Sequence, residues 1–567
     1  MLARRVTGGY RTEYDLRRHP DPRKRMTVPW HRDLVLYEVY VRGFYDSNGD
    51  GIGDLPGLVE KLPYIRDLGV SAIWLLPIYA SPLRDDGYEI SDYRAIHPDL
   101  GTLDDFRHLL DRAHACDLRV LVDFVLNHTS DQHAWFQEAR RGPGSPLHDY
   151  YVWSDTPDRY RGVRRIFVDT EPSNWTLDSA CDRYFWHRFY AHQPDLNYDN
   201  PRVQDEMLDV ARFWLDLGVD GFRVDAVPYL FEREGTSCEN LPETHAFLKR
   251  LRRLVDGYDP PRVLLAEANQ PTPDLLPYFD HGDEFHMAFH FPLMPRLFLA
   301  IRREVAAPLI EVLEQTATLP HDCQWVMFLR NHDELTLEMI SDDDRTYMWE
   351  HFAAEPGMRL NVGIRRRLWP LLSGGRRQAE LLHGLILSLP GCAVLYYGDE
   401  IEMGDDNRLG DRMGVRTPMQ WSADVNAGFS TAHPSRLYAP VITEPEYHFA
   451  GHNVRSREHK PTSFLNWLRR IIKVHRADPV FRSRSMRILA VANPRVLAFV
   501  RESEFGTVLC INNLSRFVQP ALVPVEEWVG CTPVEIIGGA RFPAITRGAY
   551  LFTLGPHSLL WLRLEHP

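Results

Sequence analysis

The sequence has no apolar run that approaches the ~18 residues needed to span a bilayer, so it predicts no membrane helix. It also has no excess of positive charge, and its net charge of −13 argues against nucleic acid as a partner. The seven cysteines have no CxxC spacing, which predicts reduced thiols rather than disulfides or a zinc site. Residues 1–27 are arginine-rich without an apolar signal core, so we expect a flexible basic leader. These absences predict a cytoplasmic globular protein.

Eight short β-rich apolar runs alternate with longer helix-like segments from about residue 34 onwards. The runs are VLYEVYV (35–41), AIWLLP (72–77), VLVDFVL (120–126), GFRVDA (221–226), VLLAE (263–267), HMAFHF (286–291), WVMFLRN (325–331) and AVLYYG (393–398). Eight consecutive βα units close a (β/α)8 TIM barrel, which is the α/β fold that we predict. An open doubly wound sheet is the competing architecture. It usually carries a Gly-rich phosphate turn after its first strand, and this sequence has none there.

Two long connections between predicted strands, which we call excursions, and a change in the pattern of apolar residues divide the chain. Residues 129–200 are polar and aromatic and too long for a simple loop, so they predict an inserted subdomain after strand 3. Residues from about 334 to 380 follow strand 7, and we expect them to act as a lid on the same side. The barrel is assigned to residues 28–128 and 201–484. Short alternating runs then predict a C-terminal antiparallel β-sandwich over 485–567.

Acidic residues follow several predicted strands, at the barrel face where TIM-barrel enzymes carry their active sites. Strand alternation in GFRVDA puts Arg223 and Asp225 on one face, where the arginine should keep Asp225 ionised. Glu267 follows the apolar run VLLA, and desolvation should raise its pKa and make it a proton donor. Asp333 follows strand 7 beside His332. One such acid could be a helix cap or half of an ion pair, but three together are the machinery of glycoside chemistry.

The stretch DSNGDGIGDL (46–55) clusters oxygen-bearing side chains around glycines. Asp46, Asn48, Asp50 and Asp54 offer oxygen ligands of the kind that calcium prefers. An EF-hand loop needs a glutamate at its twelfth position, where this sequence has Gly57, so the pattern is not that of a calcium sensor. The residues alone leave two alternatives, a turn pinned by a structural metal and a polar loop without metal.

Four motifs resemble, in order, those of the α-amylase superfamily, glycoside hydrolase family 13. They are DFVLNH (123–128), GFRVDA (221–226), LLAEAN (264–269) and FLRNHD (328–333). Similarity to the branch that acts on small α-glucosides comes from QPDLNYDN (193–200) and DRMGVRTPMQW (411–421). Within that branch, residues 231–253 are similar to the trehalose synthases. The resemblance covers the chain from about residue 28 to its C-terminus.

This resemblance implies roles for individual residues. Asp225 would be the nucleophile, Glu267 the general acid/base and Asp333 the transition-state stabiliser. Substrate contacts are implied for Asp85, Tyr88, His128, Arg223, His332 and Arg416, with Asp85 and Arg416 expected to pair. Structural calcium is implied at two places, the first formed by Asp46, Asn48, Asp50, Asp54 and the carbonyl of Ile52. The second is formed by Asn127, Asp195, Glu232 and the carbonyls of Tyr229 and Leu230.

The implied reaction is a retaining intramolecular α-glucosyl transfer that isomerises maltose to trehalose through a covalent glucosyl-enzyme, with minor hydrolysis to glucose. No organic cofactor is expected. A hydrolytic α-glucosidase or another transglucosylase is the alternative, and a non-catalytic barrel relative is a third possibility that predicts lost carboxyls or a membrane anchor. A homo-oligomer and a maltokinase-type partner are left open. Pro271 and the segment 446–458 depart from the trehalose synthases and bear on the acceptor side.

Overall fold

Eight parallel strands close a barrel and follow one another around it in chain order. The computed structural model describes residues 29–567, so the predicted leader over 1–27 lies outside the described residues. The barrel strands are Val35–Val39, Ala72–Leu75, Arg119–Val125, Gly221–Asp225, Val263–Ala266, Met287–Phe289, Gln324–Phe328 and Cys392–Tyr396. Each overlaps one of the eight apolar runs, so the TIM barrel is confirmed. The closed hydrogen bonding excludes an open doubly wound sheet.

Helices cover the outside of the barrel, which is why its strands are buried and apolar rather than alternating with polar residues. The helices that follow the eight strands in turn are Leu55–Leu68, Leu103–Ala115, Pro201–Leu217, Pro242–Val255, Thr272–Leu275, Leu293–Arg303 with Ala307–Gln315, Arg376–Ser388, and Phe464–Ala477. Short helices Leu368–Leu371 and Val454–Glu458 lie in the connections.

Local sequence sets the ends of these helices. The Asp54 side chain accepts a hydrogen bond from the backbone N–H of Gly57 and so caps the first helix, which ends at Gly69 with φ of 95°. Asn200 caps the third helix, and Gly218 ends it with φ of 110°. Glycine adopts this left-handed backbone without the steric cost that a Cβ would add.

The two excursions form small antiparallel sheets on the same side of the barrel. The excursion after strand 3 contains helix Ala134–Ala139 and strands Trp153–Ser154, Trp175–Asp178 and Arg183–Trp186. The excursion after strand 7 contains helix Asp342–Phe352 and strands Leu335–Thr336, Arg359–Leu360 and Gly363–Ile364. A further hairpin, Tyr79–Ala80 with Asp92–Ile96, follows strand 2.

The C-terminal region consists of antiparallel sheets, as the alternating runs predicted. Five strands form one sheet, Met486–Ile488, Val496–Ser503, Gly506–Asn513, Leu559–Glu565 and Thr532–Glu535. Gln519–Val523 and Tyr550–Leu554 form a second, and apolar side chains of both sheets share one buried cluster. The seven cysteines are free thiols. Among residues 29–567, no helix has the length and apolarity needed to cross a bilayer.

Candidate active site

The register of the barrel strands brings the predicted acidic residues together. Asp123 lies opposite Arg223 on neighbouring strands, and Val224 lies opposite Ala266. Asp225 and Glu267 therefore leave adjacent strands at the same level of the barrel mouth. They form a hydrogen bond to each other.

The backbone turn after Asp225 is strained. Ala226 adopts the left-handed region with φ of 52°, and its N–H donates to Glu267 Oε2 at 3.2 Å. A left-handed backbone disfavours a residue with a Cβ, and such conformations cluster at functional sites. The turn therefore holds the Glu267 carboxyl beside that of Asp225.

One buried guanidinium, that of Arg223, contacts three carboxyl groups. It donates to Asp123 Oδ1 at 2.6 Å and also pairs with Asp225 and Glu267. The predicted contact between Arg223 and Asp225 is present, and Asp123 is an additional partner from strand 3. Two positions of this cluster, Asp123 and Arg223, are almost completely buried. The positive charge offsets part of the cost of placing several acids in a low-dielectric pocket.

Burial and charge set the protonation of the acid pair. Burial raises the pKa of Glu267 to about 8, with Arg223 opposing the rise and the charges of Asp225 and Asp333 adding to it. Burial likewise raises the pKa of Asp225, and Arg223 opposes the rise. The hydrogen bond between the two carboxyls favours the proton on Glu267 and the charge on Asp225. Glu267 is thus a proton donor at neutral pH, beside a carboxylate.

Asp333 has the opposite environment. Arg416 Nη2 lies 2.9 Å from its Oδ1, Arg412 Nε lies 3.0 Å from the same oxygen, and His332 Nε2 lies 3.1 Å from Oδ2. Burial alone would raise the pKa of Asp333, but His332 and the two arginines outweigh burial and hold it well below its usual range. A permanent carboxylate here can stabilise positive charge on a substrate ring.

Tyr88 and the two predicted histidines complete one wall. The Tyr88 ring stacks on His332 with centroids 5.4 Å apart, and its hydroxyl lies 2.7 Å from His332 Nε2. His128 Nε2 lies 3.2 Å from the backbone oxygen of Tyr88. Burial lowers the pKa of His128 to about 3, so its imidazole is neutral.

The expected pairing of Asp85 with Arg416 is wrong. Arg416 Nη1 donates to Asp86 Oδ2 at 2.6 Å, whereas Asp85 Oδ2 accepts from Gln193 Nε2 at 2.8 Å. The reason is local, because Asp86 adopts a left-handed backbone with φ of 48° that sends adjacent carboxyls to different partners. Asp85 still lines the cavity, and burial raises its pKa to about 8.

A cavity lies above the acid cluster, and both excursions line it. The lining residues from the barrel loops include Asp85, Tyr88, His128, Asp225, Glu267, Phe291, Asp333 and Arg412. The first excursion contributes Ile166, Phe167, Phe189 and Gln193, and the second contributes Glu334, Thr336, Glu338, Asn361, Val362 and Gly363. Arg412 lies over the Phe167 ring at 4.8 Å. Carboxylates at the base of the cavity can accept hydrogen bonds from sugar hydroxyls, and the aromatic rings above them can pack against a sugar ring.

A set of ion pairs, which we call the mouth cluster, joins the loops around the cavity. It consists of Arg164, Glu239, Asn269 and Glu338. Arg164 Nε donates to Glu239 Oε1 at 2.8 Å, and its Nη1 lies 3.1 Å from Glu338 Oε2. Asn269 Nδ2 donates to Glu338 Oε2 at 2.9 Å. The mouth cluster therefore links the first excursion, the loops after strands 4 and 5, and the second excursion.

A further bond joins the two excursions directly. The backbone N–H of Asn361 donates to Asp169 Oδ2 at 2.7 Å. Together with the mouth cluster, this bond ties the two excursions to each other beside the cavity. The lid role expected of residues 334–380 stays a prediction.

Comparisons with known proteins place the chain in a family. The α-amylase catalytic domain matches residues 38–354 and 367–483, and the maltogenic amylase C-terminal domain matches residues 486–561. The chain belongs to the α-amylase family. The chain is an enzyme, as its match to the catalytic domain and its named relatives show.

Similar proteins include trehalose synthases. The chain is 56% identical over 551 residues to the trehalose synthase/amylase of Mycolicibacterium smegmatis, covering 95% of this chain and 93% of the relative. It is 54% identical to the trehalose synthase of Pimelobacter sp., covering 95% and 96% of the two chains. The crystal structure of the α-glucosyl transfer enzyme XgtA superposes with a TM-score of 0.78 at 30% identity, covering 95% of this chain and all of that one.

Four contacting residues of this α-amylase-family site were not singled out from the sequence. They are Glu38, Asp123, Glu239 and Arg412. Asp123 opens the motif DFVLNH, and Glu38 is a charged residue inside an apolar strand, so both carried a signal. Arg412 and Glu239 lie in loops, where spacing gives no information on direction.

The second predicted calcium site contains unpartnered oxygens. Asn127 Oδ1, Asp195 Oδ2 and Glu232 Oε1 are buried and have no hydrogen-bond partner among the described residues. Burial raises the pKa of Asp195 to about 8, and the charge of Asp195 adds to the burial that raises the pKa of Glu232. Such oxygens suit a hard cation. Within residues 29–567, no group of three or more His, Cys, Asp or Glu side chains is placed to hold a metal ion. The second predicted calcium site offers two carboxyls, one amide oxygen and two backbone carbonyls.

The first predicted calcium loop is closed by its own donors. Asp46 Oδ1 accepts from the N–H groups of Asn48 and Gly49 at 3.1 and 2.7 Å. Its Oδ2 accepts from Gly51 N–H at 2.8 Å and from Ser430 Oγ at 2.5 Å. These bonds hold the turn and anchor it to the loop at Ser430. Calcium at this loop stays a prediction.

Proposed function

We propose that this enzyme isomerises maltose to trehalose by a retaining, intramolecular glucosyl transfer. The observation that carries the proposal is a cavity over an acid pair with opposed protonation, lined by two excursions that bond to each other. Proteins named trehalose synthase that are 51–56% identical support the choice of reaction. A transfer that keeps the cleaved sugar inside the protein needs a cavity shielded from solvent.

In the first half of the reaction, the Asp225 carboxylate attacks the anomeric carbon of the non-reducing glucose. Glu267 gives its proton to the glycosidic oxygen, so the bond breaks and glucose is released within the cavity. Asp333, held ionised by His332 and Arg412, stabilises the positive charge that develops on the ring. The product of this half is a glucosyl ester on Asp225.

In the second half, the released glucose turns so that its anomeric hydroxyl faces the ester. Glu267, now a carboxylate, takes the proton of that hydroxyl. The hydroxyl oxygen of the released glucose attacks the anomeric carbon of the glucosyl ester, and the ester bond to Asp225 breaks. Two inversions retain the α configuration and give an α,α-1,1 link. Water that reaches the ester instead releases a second glucose, which accounts for minor hydrolysis.

A structural calcium ion is part of the proposal. Asn127, Asp195 and Glu232, with the carbonyls of Tyr229 and Leu230, would hold it beside the first excursion. The ion would neutralise two buried carboxyls and would fix the loops without entering the chemistry.

Incubation of the enzyme with maltose and labelled free glucose tests the function. We expect early trehalose that contains no label, because the transferred glucose never leaves the cavity. Glucose as the only early product would establish the alternative, a hydrolytic α-glucosidase, which a 31% identical α-glucosidase of Apis mellifera also brings into view. Label in the trehalose would mean that the cleaved sugar exchanges with solvent.

A further inference from the structure

A buried carboxylate, Glu38, contacts the histidine that faces Asp333. Glu38 lies in the first barrel strand, and its side chain is fully buried. Its Oε1 accepts from His332 Nδ1 at 2.6 Å and from the backbone N–H of His332 at 3.1 Å. Neither the reaction steps above nor the family motifs assign a role to this glutamate.

The contacts of His332 favour hydrogen on both ring nitrogens. Nδ1 faces the Glu38 carboxylate, which can only accept. At the other side, Nε2 lies 3.1 Å from Asp333 Oδ2, a carboxylate oxygen that can only accept, and the Tyr88 hydroxyl 2.7 Å from Nε2 has Asp123 Oδ2 at 3.2 Å as an acceptor for its own proton. With acceptors on both sides, the ring fits as an imidazolium.

The alternative protonation fits the surroundings less well. A neutral Glu38 would carry a proton, yet its second oxygen, Oε2, is buried with no hydrogen-bond partner among the described residues. A buried hydroxyl donor without an acceptor is destabilising. When Glu38 is ionised and His332 is protonated, the only group left without a partner is an acceptor, Glu38 Oε2. This arrangement destabilises the folded protein less than a neutral Glu38, whose hydroxyl would be an unpaired donor, beside a neutral His332.

We propose that Glu38 is a positioning residue that keeps His332 protonated and directed at Asp333. Removing its charge lets His332 lose its proton at a lower pH. Asp333 then loses one of its hydrogen-bond donors, and the site stabilises positive charge on the substrate ring less well. Glu38 itself touches neither substrate nor Asp333.

Several charged or titratable groups face His332, and each bears on its protonation. They are Glu38 from strand 1, Tyr88 from the loop after strand 2, Asp123 from strand 3, the adjacent Asp333, and Arg416, whose Nε donates to the His332 backbone oxygen. Burial lowers the pKa of His332, but Asp333 and Glu38 outweigh burial and raise it to about 9. Loss of the Glu38 charge should therefore lower it.

The test uses Glu38→Gln and α-glucosyl fluoride as the substrate. Glutamine keeps an oxygen that accepts from His332 but removes the charge, and fluoride leaves without a proton from Glu267. The kcat/KM for fluoride release should hold up to about pH 9 in the wild type. In Glu38→Gln, kcat/KM should begin to fall at a pH that is lower by about one unit or more. At high pH, kcat/KM of the variant should therefore be lower than that of the wild type by roughly tenfold or more. An unchanged pH profile would overturn the proposal.

The matched control is Glu400→Gln. Glu400, in the short helix Asp399–Ile401 that follows strand 8, is also buried. Its Oε1 accepts two bonds, from Tyr37 at 2.6 Å and Tyr64 at 2.7 Å, and its Oε2 has no partner among the described residues. Within residues 29–567, it bonds to no group of the acid cluster, so the pH profile of Glu400→Gln should match the wild type. An equal shift in both variants would mean that any buried charge has this effect, which contradicts the proposal.

A measurement on the wild type keeps the proposal testable if Glu38→Gln does not fold. With 13Cε1-labelled histidine, the His332 signal, assigned from its loss in His332→Asn, should report an imidazolium at pH 7. A neutral His332 at pH 7 would overturn the proposal.

The inference rests on the proposed function only in that the site transfers glucosyl groups. Fluoride release is counted whichever acceptor follows, so failure of the isomerase assignment leaves this test intact.

Discussion

At the scale of single residues, environment rather than residue type divides the labour among three carboxyls. Glu267 keeps its proton because burial outweighs the one arginine that it contacts. Asp333 cannot keep one because two arginines and a charged histidine surround it. A pair of acids with separated pKa values is the arrangement that glycoside cleavage needs.

The pKa of about 8 at Glu267 predicts an alkaline limit to activity with maltose. The first half-reaction needs protonated Glu267, so kcat/KM should fall about tenfold per pH unit as the pH rises above 8. The raised pKa also means that between about pH 4.5 and 8 the folded protein holds a proton that the unfolded chain releases. Over that window this group makes the folded state less stable as the pH rises.

α-Glucosyl fluoride supplies the control for this limit, because its leaving group needs no proton. Its kcat/KM should show no decrease at pH 8, and identical limits for maltose and the fluoride would contradict the role of Glu267 as the acid.

Replacement of Glu267 by Gln should separate the two halves of the reaction. We expect kcat with maltose to fall by about 10²- to 10⁴-fold, because the leaving oxygen has no proton donor. With the fluoride, the first half remains and the second is slow, so a glucosyl ester should accumulate on Asp225. Mass spectrometry of peptides checks the site of attachment, and an ester on any other residue would show that Asp225 is not the nucleophile.

At the scale of elements, the cavity is lined by loops that belong to different parts of the chain. Arg164 of the first excursion bonds Glu239 after strand 4 and Glu338 of the second excursion. Burial opposes ionisation of Glu239, but Arg164 and Arg188 outweigh burial and lower its pKa. The two carboxylates are mostly buried, with 7% and 17% of their side chains exposed, whereas 40% of the Arg164 side chain is exposed, so solvent screens these pairs in part.

Replacing Arg164 by Met should loosen the mouth cluster without touching the acid pair. We expect the ratio of glucose to trehalose formed from maltose to rise several-fold, because water and free sugar then enter the cavity. Labelled glucose should also appear in trehalose. Arg165→Met is the matched control, since Arg165 donates only to the backbone oxygen of Glu171 at 2.7 Å. An unchanged product ratio in Arg164→Met would show that the mouth cluster does not enclose the substrate.

The calcium site proposed at Asn127, Asp195 and Glu232 predicts a calcium-dependent stability. At calcium about 100-fold above its Kd, the folded state should gain about 2.7 kcal/mol. Thermal unfolding in calcium and in a chelator measures this gain. The Asp195→Asn variant should lose most of it, whereas Asp46→Asn should keep it if the ion lies at Asp195. Equal unfolding temperatures with calcium and chelator in the wild type would exclude both sites.

At the scale of the whole molecule, the sequence predicted what depends on local pattern. Eight apolar runs predicted all eight barrel strands, and the apolar run before Glu267 predicted its raised pKa. The sequence pattern could not predict which side chains of different loops contact each other. Asp85 and Asp86 are neighbours in sequence, and only the left-handed turn at Asp86 decides that Asp86 bonds Arg416. Glu239 and Arg164 are likewise paired by the folded course of two long loops.

One buried arginine bonds the C-terminal sheets to the barrel, beside the apolar core that the two parts share. Arg501 is fully buried and donates to backbone oxygens of Ser388, Phe481, Ser483 and Ser485, the first at the end of a barrel helix. No carboxylate in the described part of the chain pairs with Arg501, and burial lowers its pKa to about 10. The guanidinium therefore connects the two parts of the molecule through carbonyl oxygens alone.

Arg501→Met should destabilise the protein by about 3 kcal/mol, because several buried carbonyls lose a charged donor while the apolar stem is kept. Chemical denaturation checks the change, and activity below the transition should stay near the wild type because the acid cluster is untouched. Arg487→Met is the control: Arg487 pairs with Glu527 at 2.9 Å on the surface, and its loss should cost less than about 1 kcal/mol. Equal effects of the two substitutions would mean that Arg501 does not hold the C-terminal sheets on the barrel.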